Sequence, residues 1–389
     1  MRVLGIVAEY DPFHLGHLFH LEESRRRTGA DQVCIMLSGC FRQRGELSLL
    51  PPCDRAACAL LSGADAVFEL PVLWTVRDAE HYALGAVAAL DALGCTDLAF
   101  GAETDDLPSL DALAALLEAP TAAFQAALRQ ALSEGLGYPA ALSSAADICL
   151  PECAGLLASP NNILAVCYLR ALRRLGSAMV PTAIVRRGSA TSREIVPEAP
   201  SASALRSALR RGNYRPVFSA VPSCSEKALR RAFLSSRVPD QTVFDALLLS
   251  RLRALSLSEL QSLPDVSEGL EQAIHAAAVL ADSRAELLGK LVSRRYTAAR
   301  LNRIFTHALL GSTRERLNAL ALPSALRLIA LRKGSPLTAL WKARPVRLLS
   351  SAADWKASAD PADQAAWHLY ARCTHQPDTL PLSEKFFSC

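Results

Sequence analysis

Five short apolar runs punctuate the first 185 residues: "RVLGIVA" (2–8), "DQVCIML" (31–37), "DAVFEL" (65–70), "DLAFG" (97–101) and "AMVPTAIV" (178–185). Their lengths and flanking turn residues predict strands. The text between them, "LFHLEESRRR", "DRAACALLSG", "AEHYALGAVAALDALG", "LPSLDALAALLEA" and "NNILAVCYLRALRRLG", places apolar residues at helical spacing. Such alternation folds as an α/β layer structure, a Rossmann-like doubly wound parallel sheet. Past "SASALRSALRRG" (201–212) the alternation stops. Residues 215 to 312 read as mainly helical, in "TVFDALLLSRLRAL" and "TAARLNRIFTHALLG" among others, and 320 to 389 are mixed. The expected division is a nucleotide-binding domain over 1–214 and a mainly helical, basic domain over 215–389.

In doubly wound sheets ligands sit beyond the carboxyl ends of the strands. The loops there are polar: "EYDPFHLGH", "SGCFRQRGE", "PVLWTVRDAEH", "GAETDD" and "RRGSATSRE". The most apolar stretch, "ACALLSGADAVFELPVLW", is interrupted by Asp65 and Glu69, short of the roughly 20 apolar residues of a membrane span. The chain enters a strand pattern at once, without a basic leader, so the cytoplasm is the expected location. Eleven cysteines without a CxxC pair predict free buried thiols rather than disulfides or a metal site.

Charge divides the chain. From Ser201 onward there are 27 Lys plus Arg against 15 Asp plus Glu, a net of +12, leaving 15 against 23, a net of −8, before it. A basic second half suits a polyanion, nucleic acid above all, or else a solvated face. No lysine precedes Lys227. That excludes a Walker A loop and leaves phosphate handling in the first half to His, Arg and backbone amides.

Three of the 8 histidines, His14, His17 and His20, fall directly after the first strand. Pro12 and Gly16 mark the strand-to-helix turn, where helix N-terminal amides bind phosphate without lysine. His14 and His17 can both face one ligand there, and Gly16 lets it approach the backbone closely. His20 reads as packing on the helix face. A zinc site is disfavoured, because zinc helices present histidines at i and i+4.

"HLGH" resembles the HxGH signature of the nucleotidyltransferase superfamily that includes class I aminoacyl-tRNA synthetases. The ordered set "GIVAEYDPFHLGHLFHLEESRR", "SGCFRQRGE", "GADAVFELPV", "AEHYALGAVAALDALG", "FGAE", "PNNILAVCYLRAL", "SASALR" and "LNRIFTHALLG" resembles the bacterial tRNA(Met) cytidine acetate ligase family over essentially the whole chain. That resemblance implies activation of acetate by ATP to acetyl-adenylate, with magnesium left open, then acetyl transfer to the wobble cytidine of elongator methionine tRNA. It implies an ATP site over Val7, Ala8, Glu9, Tyr10, Asp11, Pro12, Phe13, His14, Leu15, Gly16, His17, Leu18, Phe19 and His20. Gly101 of "FGAE", Asn161 of "PNN", Arg186 of "IVRRG" and Arg206 of "SASALR" complete it. His14 and His17 would stabilise phosphate charge as pyrophosphate leaves. Arg44 of "SGCFRQRGE" is the third catalytic candidate, because a planar guanidinium matches a carboxylate.

The chain departs from the family pattern where members commonly have Asn at the positions of Asp11 and Cys40, Lys-Trp at Pro52 and Cys53, and Gly-Tyr-His-Asp near "ATSRE" (190–194). Asp11 works against ATP unless an arginine compensates it. For RNA, Lys290, Arg294, Arg295, Arg300 and Arg303 surround Tyr296, and a second basic stretch surrounds Trp341. Either aromatic could stack on a base or sit in the core. Two other functions suit these residues: a small-metabolite adenylyltransferase, disfavoured by the basic second half, and a catalytically weakened nucleotide- or RNA-binding protein.

Overall fold

The computed structural model describes residues 1–186, 195–267 and 269–376. Its centre is a sheet of seven strands in the order β5-β4-β1-β2-β3-β6-β7. The five strands expected from the sequence are β1 (Val3–Ala8), β2 (Gln32–Ser38), β3 (Ala66–Leu70), β4 (Asp97–Ala102) and β5 (Val180–Val185), all mutually parallel. The other two come from the far end of the chain. β6 (Ala325–Leu331) runs antiparallel beside β3, and β7 (Arg347–Leu349) lies parallel to β6. The sheet therefore crosses the expected boundary at residue 214.

Side chains alternate across the pleat, and both faces are covered. On one face Val3, Met36, Phe68, Leu98 and Phe100 pack under helices Ala79–Ala92 and Pro160–Leu175. On the other, Leu4, Ile6, Ile35 and Val67 meet α1 (Leu15–Thr28), α2 (Pro52–Leu61) and helices Ala202–Arg210 and Ser223–Leu234. Burial on both faces is why these strands read as continuous apolar runs. A third core joins Phe41, Leu73 and Val76, from the loops after β2 and β3, to Leu248, Ile274, Leu287, Ile304 and Tyr370. The helical residues thus stand over the carboxyl edge of the sheet beside β2 and β3. No disulfide forms among the described cysteines, and no described helix is long and apolar enough to cross a membrane.

Candidate active site

β1 ends at Ala8, and the next six residues turn the chain into α1. Tyr10 adopts a left-handed backbone (φ 48°) and the Asp11–Pro12 peptide is cis. Tyr10 and Phe13 are buried edge to face, with ring centroids 4.7 Å apart. His14 is the N-cap of α1. Its Nδ1 accepts from the His17 N–H, and the His17 Nδ1 accepts from the His14 N–H, each at 3.3 Å. This is a capping box built of two imidazoles, in the place usually taken by Ser or Thr with Glu or Gln.

The reciprocal cap decides the chemistry of both rings. An Nδ1 that accepts cannot carry the proton, so each neutral ring is an Nε2–H donor. The rings stack at 3.5 Å. Burial, with Arg186 and Arg206 nearby, lowers His14 to about 3, and burial with the adjoining His14 ring holds His17 well below its ordinary value. Both stay neutral near physiological pH. The His14 Nε2 is buried without a hydrogen-bond partner among the described residues, a donor aimed at an acceptor the protein does not supply.

Acidification is therefore expected to destabilise the fold. His14 and the equally buried His307, which burial lowers to about 4, stay neutral in the folded chain while the unfolded chain protonates them near pH 6.5. Their contribution is complete above about pH 6.5 and falls as pH drops toward about 4, by up to ~1.4 kcal/mol per pH unit for each. Urea midpoints measured across that window check it; midpoints that do not fall with pH contradict it.

Beside the histidines lies a buried charge cluster. The Asp11 Oδ1 accepts from the Leu49 N–H at 2.7 Å. Its Oδ2 is 3.3 Å from the Arg42 Nε and 4.0 Å from the Arg206 Nη1. Arg206 also donates to the Asp11 carbonyl at 2.6 Å, and Arg42 pairs with Glu46 at 2.5 Å. The extra carboxylate is thus matched by two arginines, which answers the electrostatic objection to Asp11. A Phe41–Leu47 bridge tightens the loop after β2, turning Arg42 inward and leaving Arg44 exposed. Among the loop's arginines it is Arg42, not Arg44, that the structure brings to the charge cluster.

On the β4 side, Gly101 lies where Arg186 crosses the strand. A Cβ there would stand 3.3 Å from the Arg186 Cγ and 3.7 Å from the His20 Cδ2. His20 thus faces this cluster rather than serving only to pack α1. Asn161 is not a helix cap, since that position belongs to Ser159. Its Oδ1 accepts from the Arg186 Nη1 at 3.4 Å and its Nδ2 donates to the Glu103 Oε1 at 2.6 Å. Gly101, Asn161, Arg186 and His20 therefore form one group, and Val7 to His20 form the adjoining segment. Most of the loop after Arg186, with "ATSRE", lies outside the described residues.

Sequence reasoning missed Arg55. This residue of α2 is fully buried. It donates to the carbonyls of Leu50 (3.0 Å), Glu9 (2.5 Å) and Gly39. It ties the ends of β1 and β2 together under the site. Glu103 and Asn162 were also missed; the Asn162 Oδ1 accepts from the Glu103 N–H at 2.8 Å.

The five residues expected to meet RNA separate. Arg294 and Arg295 are exposed, and Lys290 is exposed 3.5 Å from Glu286. Arg300 donates to the Asp265 carbonyl at 2.6 and 3.1 Å, and Arg303, mostly buried, lies 3.5 Å from the Asp265 carboxylate. Trp341 is a core residue against Phe68, while Tyr296 is half-buried under Arg300.

A mainly parallel sheet whose first crossover opens on a lysine-free pair of capping imidazoles defines a nucleotidyltransferase of the HxGH type. The family model described as HIGH Nucleotidyl Transferase matches residues 1–379. Two relatives, each named tRNA(Met) cytidine acetate ligase, are 34% identical. That of Acetivibrio thermocellus aligns over 99% of this chain and 98% of its own length, that of Caldanaerobacter subterraneus over 100% and 97%. The chain belongs to this family, the tRNA(Met) cytidine acetate ligase branch of the HIGH nucleotidyl transferases. The crystal structure of Thermotoga maritima TmcAL bound with alpha-thio ATP superposes with a TM-score of 0.90 at 26% identity, covering all of both chains.

Proposed function

We propose that this protein is an ATP-dependent tRNA(Met) cytidine acetate ligase of the cytoplasm, forming acetyl-adenylate and passing the acetyl group to the wobble cytidine. The observation that carries the reading is the orphaned Nε2–H of His14 within the imidazole cap at the first crossover. When acetate attacks the α-phosphorus of ATP, negative charge grows on the phosphates as pyrophosphate leaves. Donors already pointed at that charge lower the barrier. His14 and His17 are these donors, joined by the amides of the first turn of α1. Arg206 and Arg42 flank them. On the β4 side Gly101, Asn161, Arg186 and His20 hold the nucleoside. No covalent enzyme intermediate is required.

In this reading residues 1–214 hold the nucleotide and the basic residues beyond them position the RNA. Incubation with ATP and labelled acetate, with and without elongator methionine tRNA, is expected to give pyrophosphate and acetyl-RNA. Pyrophosphate formed without dependence on acetate would indicate a small-metabolite adenylyltransferase, and binding without turnover a weakened binding protein. Replacing Arg294 and Arg295 by alanine is expected to weaken tRNA binding and leave ATP binding in place. The slope of log K against log salt should flatten by about 0.7 for each phosphate that these arginines neutralise in the wild type. An unchanged slope in filter-binding titrations places the docking face elsewhere.

A further inference from the structure

A cleft of about 550 Å³ lies between the loop after β3 and the helical residues. Arg77, Asp78 and His81 line one wall, and Asp265, Arg300 and His307 line the other. Its size falls within the roughly 300–1,000 Å³ of small-ligand sites, and its lining is polar on both sides.

Two imidazoles give the cleft its chemistry. His307 is buried, and its Nε2 donates to the Val76 carbonyl at 2.8 Å. Its Nδ1 is therefore a bare lone pair, and it has no partner among the described residues. A buried acceptor left unmatched by the protein is suited to an N–H or O–H brought by a ligand, and His307 lines this wall of the cleft. Across from it, the Asp78 Oδ2 lies 2.7 Å from the His81 Nδ1, while the Asp78 Oδ1 accepts from the Glu80 and His81 N–H groups. The carboxylate holds the proton on Nδ1, which leaves the His81 Nε2 as a lone pair on a half-exposed ring, an arrangement that orients an imidazole as a proton acceptor. Arg300 supplies donors: three of its five N–H groups bond Asp265 and Ser267, and the others are available to ring acceptors.

Hydrogen bonds through Gln43 tie the cleft's Arg77 to the segment that carries the histidine cap. The Arg77 carbonyl accepts from the Gln43 Nε2 at 2.6 Å, and the Gln43 N–H donates to the Glu9 Oε1 at 2.8 Å. Glu9 precedes Tyr10, whose ring centroid is 4.9 Å from that of His17. Exposed Arg294 and Arg295 precede the helix Ala298–Leu310 that carries Arg300 and His307.

We infer that this cleft seats the target cytosine, turned out of its loop, and that the Asp78–His81 pair takes the proton from its exocyclic amine. The inference rests on the ligase reading above. Cytosine matches the lining, with an amino donor for His307 and ring acceptors for Arg300, and RNA loops present such splayed bases. The amine nitrogen attacks the acetyl carbonyl of acetyl-adenylate, forming the C–N bond. The bond from that carbonyl to the phosphate oxygen breaks, AMP leaves with the electron pair, and one amine proton passes to the His81 Nε2.

The test measures acetyl transfer to elongator methionine tRNA and acetate-dependent ATP–pyrophosphate exchange on the same preparations of wild type, His81→Ala and His307→Phe. Transfer per adenylate formed is expected to fall about 100-fold or more in His81→Ala, with partial rescue by imidazole in the buffer. His307→Phe is expected to raise KM for the tRNA more than it lowers kcat. Unchanged transfer in His81→Ala overturns the proposal, as does an equal loss of exchange and transfer that imidazole does not rescue. Wild-type protein that makes acetyl-adenylate but no acetyl-RNA also overturns it. Absence of acetate-dependent exchange in wild type overturns the ligase reading itself.

Discussion

Replacing His14 or His17 by alanine is expected to lower acetate-dependent ATP–pyrophosphate exchange by about 10²–10³-fold, the usual cost of removing one preorganised donor from a developing oxyanion. Alanine also removes half of the α1 cap, which costs about 1 kcal/mol, too little to unfold a chain with three cores of this size. His14→Asn separates the two effects. An asparagine oxygen can accept the His17 N–H as the imidazole Nδ1 now does, yet the side chain is too short to place a second donor where the Nε2 stands. Stability close to wild type with activity as low as alanine is the expected outcome. Full activity in either alanine variant would remove the histidines from the mechanism.

The largest loss of stability is expected at Arg55. Arg55→Met keeps the aliphatic stem and removes the guanidinium, leaving the carbonyls of Glu9, Gly39 and Leu50 buried without their donors. At about 1–3 kcal/mol for each orphaned group, partly relieved by relaxation, the cost should reach about 3–5 kcal/mol, comparable to much of a domain's stability. Urea unfolding monitored by circular dichroism checks it. A loss below about 1 kcal/mol would mean that water or rearranged backbone takes over these bonds. Because the guanidinium joins the ends of β1 and β2 beneath the cap, any variant that does fold should bind ATP more weakly.

β1 to β4 were legible because each is buried on both faces and bounded by turn residues, and the partly exposed edge strand β5 because its apolar run is bounded in the same way. β6 was not. "ALRLIAL" pairs with a strand more than 250 residues earlier and lies in a mixed stretch, so nothing local distinguishes a strand from a helix there. The strand-to-helix turn and its paired histidines were legible, but the capping box they form was not, since imidazoles seldom take that role. Arg42 and Arg44 are two residues apart in one loop, and which faces inward follows from the folded loop, with its Phe41–Leu47 bridge and the Arg42 N–H bond to the Glu46 carbonyl. Arg55 was illegible for a plainer reason: "DRAACALL" offers no sign that its arginine is buried rather than solvated. The Asp11 departure looked unfavourable in sequence because Arg206, its second cationic neighbour, lies 195 residues away.

Chemical shifts of the imidazole nitrogens in ¹⁵N-histidine-labelled protein, recorded near neutral pH with and without ATP, test the central claim most directly. Protons on Nε2 of both His14 and His17 before ATP is added, and a change at those Nε2 resonances as it binds, are the expected result. Protonated Nδ1 positions, imidazolium forms, or Nε2 resonances indifferent to ATP would contradict it.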